Sequence, residues 1–278
     1  MTADITIGQY YPGDSFIHRL DPRVKLFGTM IFIIALFANS SYIGYILITA
    51  VLAAIIKAST VPFGRLLKGL KGIIFILMIS VVFNIFLTDG LVLLEIGPLS
   101  VTREGLLRGG FLGIRLIYLL ICTSIMTLTT TPNKMADGLE KAFSPLSKIG
   151  APIHEIAMMM SIALRFIPIL MEETDKITKA QKARCADFES GGLIKKAKSL
   201  VPLLVPLFVS AIRRALDLAN AMEARCYRGG EGRTKMCPLV YSKNDKKAYA
   251  FYFVFLAAVI ATDVVVSNIG AFSLIVIS

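Results

Sequence analysis

Five apolar runs, at about residues 24–38, 42–56, 72–88, 111–130 and 248–266, constrain this chain more than any other feature. With 55% hydrophobic and only 18% charged residues, its 278 residues carry more apolar side chain than one soluble core can bury. The runs predict an all-α membrane protein with about five transmembrane helices. Some are shorter than the ~20 residues that cross a bilayer upright, so they need neighbouring helices or local thinning. The polar, aromatic start MTADITIGQYYPGDSFIHRLDPR lacks the apolar core and small-residue cleavage site of a secretory signal, so the chain is expected to keep its own N-terminus. Asp21 and Pro22 form an N-cap and first-position pair that starts the first span. Asn39, Ser40 and Ser41 read as a tight turn that folds the first two spans into a helical hairpin.

Basic residues orient the spans. Arg19, Arg23 and Lys25 flank the start, and Lys57, Arg65, Lys68 and Lys71 fill an acid-free linker, which predicts a cytoplasmic N-terminus and a cytoplasmic 57–71 linker. The stretch 89–104 sets Asp89, Glu95 and Glu104 against Arg103 alone and is expected outside. The chain then divides into a membrane domain of four spans at 1–130, a cytoplasmic coupling region at 131–247 and a last span within 248–278. Residues 131–250 hold 20 of the 30 Lys and Arg against 12 acids, a local charge of +8 within a total of +11. Such a segment suits anionic lipid or an acidic protein. Nucleic acid is disfavoured, because no basic strand interleaved with aromatics and no zinc-finger spacing appears.

Two helical patterns stand out in the basic segment, from Ile153 to about Cys185 and from about Leu203 to Cys226, with Pro168 inside the first and Pro202 and Pro206 opening the second. The run IHEIAMMMSIALRFIPILMEE is apolar, but Glu155, Arg165, Glu172 and Glu173 favour an amphipathic helix at the membrane surface. A sixth span is the alternative.

The two patterns end alike. Aligned on Arg184 and Arg225, they share Ala183 and Ala224 one residue before, Ala180 and Ala221 four before, Ile177 and Leu218 seven before, and Cys185 and Cys226 one after. Offsets of zero, four and seven share a helix face, so each end carries an aliphatic residue, a small residue and a cation in one stripe. Small alanines admit a close partner, and a guanidinium takes a carboxylate bidentately. The plainer alternative is a cation at a helix C-terminus, worth about 0.3–1 kcal/mol against the dipole. That effect needs only some cation, whereas here the surrounding small residues recur too.

The two Ala-Arg-Cys elements after several spans, with HRLDPRVKL and AMEARCYRGGEGRTK, resemble the T component of energy-coupling-factor transporters from about His18 to Lys235. The resemblance implies a membrane scaffold that joins two ATP-hydrolysing subunits to a separate substrate-binding membrane subunit, the S component, for uptake of vitamins or metal ions. It implies that Ala183, Arg184 and Cys185 dock one ATPase and Ala224, Arg225 and Cys226 the other. The family's first motif commonly ends in Gly, which relieves a left-handed helix end; Cys185 would be strained there.

Other candidates carry less. GGEGRTK at 229–235 lacks the GxxxxGK[ST] order of a phosphate loop and reads as a helix stop with a flexible loop. His154-Glu155 lacks a second His at position 158, where Met158 stands. No metal site, cofactor site or catalytic constellation is expected. Cys122, Cys185, Cys226 and Cys237 form no CxxC pair and are expected to be structural thiols. Arg115 and Asp263 fall near the outer ends of their spans, where snorkelling to the interface is favoured over a transport role. Without midspan carboxylates, a proton-coupled carrier is disfavoured. The remaining rival is a conventional ABC-transporter permease that lines the substrate path itself.

Overall fold

The computed structural model describes residues 10–39, 41–88, 92–96, 99–186, 188, 192–229 and 238–277. These form helices α1 (Phe16–Arg19), α2 (Pro22–Ala38), α3 (Tyr42–Ser59) and α4 (Phe63–Leu87), strands β1 (Val92–Ile96) and β2 (Leu99–Thr102), then α5 (Arg103–Thr129), α6 (Pro132–Phe143), a 3-10 turn (Ser144–Ile149), α7 (Ile153–Ala183), α8 (Leu193–Ala224) and α9 (Lys243–Ile277). The protein is an all-α membrane protein apart from the hairpin of β1 and β2, which pairs Glu95 with Ser100 and Ile96 with Leu99 where the sequence predicts a plain loop. The chain divides into two compact units, one of residues 1–138 with 239–278, the other of residues 139–238.

In the first unit, α2 starts as the sequence dictates. The Asp21 carboxylate accepts the Arg23 backbone N–H at 2.9 Å and Pro22 occupies the first turn. The turn at 39–41 is also present, with Asn39 Nδ2 donating to the Ser41 carbonyl at 3.0 Å; Ser40 lies outside the described residues. The expected α2–α3 hairpin needs correction, because α2 packs chiefly on α9 and α5, and α3 on α9, α1 and α5, rather than along one another. Their shared core holds Leu36 of α2, Ile48 of α3, Ile125 of α5 and Val259 of α9. The tight turn sets only where α3 begins; the apolar faces then choose the partners with most area to bury.

The closest helix packing is α4 on α5. Gly105, Gly109 and Gly113 recur every fourth residue along α5, and a β-carbon at Gly105 would stand 2.6 Å from the Ile85 carbonyl oxygen. Spacing small residues by four lets two membrane helices approach backbone to backbone. The N-terminal segment is tied to α9 by Asp245, only 1% exposed, whose carboxylate accepts the Asp21 N–H at 3.0 Å and the Ser242 N–H at 2.7 Å. Lys25, 6% exposed, donates to the Thr129 carbonyl at 2.9 Å, a cation closing the C-terminus of α5.

Among the described residues, length and composition qualify four helices to cross a membrane: α5, α7, α8 from Lys198 onward and α9 to Val266. The apolar parts of α3 and α4 are shorter, and α2 has 17 residues. In the second unit α8 begins at Leu193, ten residues before the predicted start, which leaves Pro202 and Pro206 inside the helix. LIKKAKSL is a strong helix former and carries the helix up to and past these prolines. Arg115, expected to snorkel, instead donates to Tyr45 Oη and to the Asn39 carbonyl, both at 3.1 Å, and braces the end of α2. Asp263 is half-buried on α9.

Candidate docking site

The two repeated helix ends lie at the C-termini of α7 and α8, and their backbones close in the same way. In α7 the Cys185 N–H donates to the Lys182 carbonyl and the Ala186 N–H to the Gln181 carbonyl, both at 3.0 Å. In α8 the Cys226 N–H donates to Glu223 at 2.8 Å and the Tyr227 N–H to Met222 at 3.0 Å. Each is a Schellman closure, in which the residue after the cap turns left-handed so that two carbonyls of the last turn are satisfied by backbone donors. Those left-handed residues are Cys185, at φ 62°, and Cys226, at φ 55°. The strain expected at Cys185 is therefore present, and Cys226 shares it.

Arg184 and Arg225 are the capping residues themselves. Among the described residues neither guanidinium has a hydrogen-bond or ion-pair partner, and all six residues of the two Ala-Arg-Cys elements are exposed. Side-chain capping does not explain the arginines, because the backbone has already closed the helix. Burial repeats along with the sequence: Ile177 and Leu218 are half-buried, while Ala180 and Ala221 are exposed. The stripes are thus anchored at their aliphatic end and open at the cation.

The packing of α7 on α8 then separates them. Met158 meets Tyr227, whose hydroxyl donates to its sulfur at 3.1 Å. Glu173 pairs with Arg214 at 3.2 Å, and Gln181 Nε2 donates to the Pro202 carbonyl at 3.4 Å. As residue numbers rise along α7 their partners fall along α8, so the helices are antiparallel. Arg225 therefore lies beside the start of α7 and Arg184 at its far end. About 26 residues at about 1.5 Å each set the two cations roughly 40 Å apart along the pair. Nothing in the sequence spacing of 41 residues reveals this; the register comes from the cross-helix contacts.

The weaker candidates resolve as follows. His154 Nδ1 lies 3.1 Å from Glu140 Oε1, a hydrogen-bond contact between α6 and α7. Among the described residues no three His, Cys, Asp or Glu gather as metal ligands. Cys122 is buried, Cys185 and Cys226 are exposed free thiols, and Cys237 lies outside the described residues, as does most of GGEGRTK. The close glycine seam of α5 went unpredicted, although GLLRGGFLG shows its spacing.

A family model described as CbiQ, cobalt transport protein, matches residues 13–236. The chain is 57% identical over 247 residues to the energy-coupling factor transporter transmembrane protein EcfT of Clostridium kluyveri, covering 88% of this chain and 92% of that relative. It is 49% identical over 265 residues to the protein of the same name from Ruminiclostridium cellulolyticum, covering 95% and 99%. For that of Bacillus subtilis the figures are 48% over 246 residues, 88% and 93%. Paired helix ends on a multi-pass helical membrane protein, matched over nearly its whole length by these relatives, mean that the chain belongs to the energy-coupling factor transporter transmembrane proteins, the T components of these multi-subunit transporters.

Proposed function

We propose that this chain is the scaffold that joins two cytoplasmic ATPases to a substrate-binding S component in the cell membrane, for uptake of vitamins or other micronutrients, and that it hydrolyses no ATP itself. Ala183, Arg184 and Cys185 dock one ATPase, and Ala224, Arg225 and Cys226 the other. The observation that carries this reading is the pair of exposed guanidiniums, without a partner among the described residues, on identically closed helix ends at opposite ends of one helix pair. Nucleotide-driven approach of the two ATPases would move both ends, and the rigid helices would pass that motion to the S component.

The same geometry bears on topology. A membrane-crossing antiparallel pair would carry Arg184 and Arg225 to opposite sides, where two cytoplasmic ATPases could not both reach them. The reading therefore requires α7 and α8 to lie along the cytoplasmic surface, their apolar residues against lipid or a partner, although each is long enough to span. The N-terminus, the 57–71 linker and residues 131–247 are cytoplasmic and 89–104 is outside, as the charge pattern supports.

Two experiments test this. In a Cys237→Ala background, a membrane-impermeant maleimide added to the cytoplasmic face should label both Cys185 and Cys226; labelling of one thiol from each face would refute the surface-lying pair. In pull-downs, Arg184→Ala and Arg225→Ala should each weaken ATPase retention partly, because ATPases that bind each other hold the released one at high local concentration. The double variant should insert in the membrane, keep the S component and lose both ATPases. Each removed charge pair costs about 2–5 kcal/mol. Full ATPase retention in the double variant would sink the docking role.

A further inference from the structure

A cavity of about 380 Å3 opens in the first unit, within the size range of ligand pockets. Its wall comes from α1 and from one end of four helices: the first turns of α2 and α9 and the last turns of α3 and α5. Nearly every lining side chain is apolar, yet the cavity is not sealed. Phe16, Ala54, Ala58 and Phe251 are exposed along its edge, so it opens sideways from the bundle. Its polar exceptions are the hydroxyl-bearing Thr29, Thr129 and Tyr252 and two lysines: Lys25, buried, and Lys247, exposed at the rim.

That end of the bundle is positively charged beyond what its own acids balance. Along the first half of α6 and the first turns of α2 and α9, Arg23, Lys25, Lys134, Lys243, Lys246 and Lys247 outnumber Asp21, Asp137 and Asp245, and Asp21 and Asp245 are engaged. Asp21 accepts from the Arg23 guanidinium at 2.9 Å, and Asp245 from two backbone N–H groups. An apolar slot open to the side of a membrane helix bundle, at the depth where basic residues meet the surface, suits a phospholipid with an acyl chain in the slot and an anionic headgroup beside exposed Lys247, since the Lys25 ammonium is already held by the His18 and Thr129 carbonyls and the Thr130 hydroxyl. A neutral lipid would fill the slot but gain nothing from the rim.

We propose that this cavity is a binding site for one anionic phospholipid, its acyl chain between α3 and α9 and its phosphate beside Lys247. The site would brace the ends of four helices at once, including the α2 and α9 starts that Asp245 ties together.

The test uses the full chain in its purified complex. Phosphatidylglycerol and phosphatidylcholine are titrated separately and retention is read by native mass spectrometry. Phosphatidylglycerol carrying a diazirine on one acyl chain is then photocrosslinked and the modified peptides mapped. The wild type should retain phosphatidylglycerol over phosphatidylcholine, with crosslinks in 51–58, 122–129 or 247–255. Lys247→Gln, a surface change, should weaken phosphatidylglycerol about fivefold without altering phosphatidylcholine. Ala58→Phe, which fills the slot, should abolish crosslinks in these segments. Equal retention of the two lipids by the wild type, crosslinks confined to other segments, or unchanged phosphatidylglycerol affinity in Lys247→Gln would each overturn the site. The last two outcomes decide even if Ala58→Phe does not fold.

Discussion

Glycine at positions 185 and 226 should stabilise this protein while keeping the backbone turn that presents Arg184 and Arg225. Cys185 and Cys226 hold left-handed backbones at φ 62° and 55°, and each donates the N–H that closes its helix. An L-residue pays about 1–2 kcal/mol in that region. Glycine escapes this cost but loses roughly 0.5–1 kcal/mol more backbone entropy on folding. The difference favours Cys185→Gly and Cys226→Gly by about 0.5–1 kcal/mol each. The sites lie at opposite ends of the α7–α8 pair, so the effects should add. Thermal melts followed by circular dichroism in detergent would read the double variant a few degrees above wild type. Alanine controls separate backbone from thiol, since Cys→Ala keeps the β-carbon and should leave the melt near wild type. Valine, branched at that carbon, should lower it. In the proposed docking, Cys185 and Cys226 act through the backbone turn rather than the thiol, so ATPase retention should be unchanged in the glycine variants. Alanine variants that gain as much as the glycine ones would show that the thiol, not the left-handed backbone, carries the cost, and the argument would fail.

Gly109→Leu should destabilise by about 1–3 kcal/mol through overpacking, as its β-carbon would already sit 3.0 Å from Ile85 Cγ1; neighbouring Gly110→Ala, inside α5 and meeting nothing within 4 Å, should instead stabilise by about 0.5–1 kcal/mol in the same melts. Arg115→Leu should cost about 1.5–3 kcal/mol by removing charged hydrogen bonds to Tyr45 and the Asn39 carbonyl, and a melt equal to wild type would mean the guanidinium is idle. Burial would raise the carboxyl pKa of Asp21, but its hydrogen bonds from Arg23 win and hold it below the ordinary value. A carboxylate lowered on folding stabilises above its unfolded pKa, and that stability is lost as pH falls through the folded value. Asp21→Asn should therefore flatten the decline in melting temperature below about pH 4, and an unchanged acid profile would count against the pairing.

Several features were legible in the chain because they depend on a few neighbouring residues. Asp21 and Pro22 start α2 through a side-chain cap and a fixed backbone angle, which the sequence carries within two positions. The repeated ends at Arg184 and Arg225 could be read as equivalent because the same small and aliphatic residues recur at the same helical offsets. The strain at Cys185 followed from comparison with a glycine-bearing motif.

Other features depended on residues far apart in sequence. That α9 packs on both α2 and α3 reflects competition among apolar faces of similar hydrophobicity, which no single run encodes. The start of α8 at Leu193 was hidden because proline marks a preference for helix starts, and strong helix formers before it override that preference. The four-residue glycine spacing on α5 was written in the sequence, but its partner on α4 was not. Most consequential is the antiparallel register of α7 and α8. The sequence determined that there are two equivalent Ala-Arg-Cys helix ends and what chemistry each carries. Only the tertiary structure sets them roughly 40 Å apart along the pair, because that separation arises from Tyr227 meeting Met158 and Gln181 meeting Pro202, contacts formed only when the two helices pack.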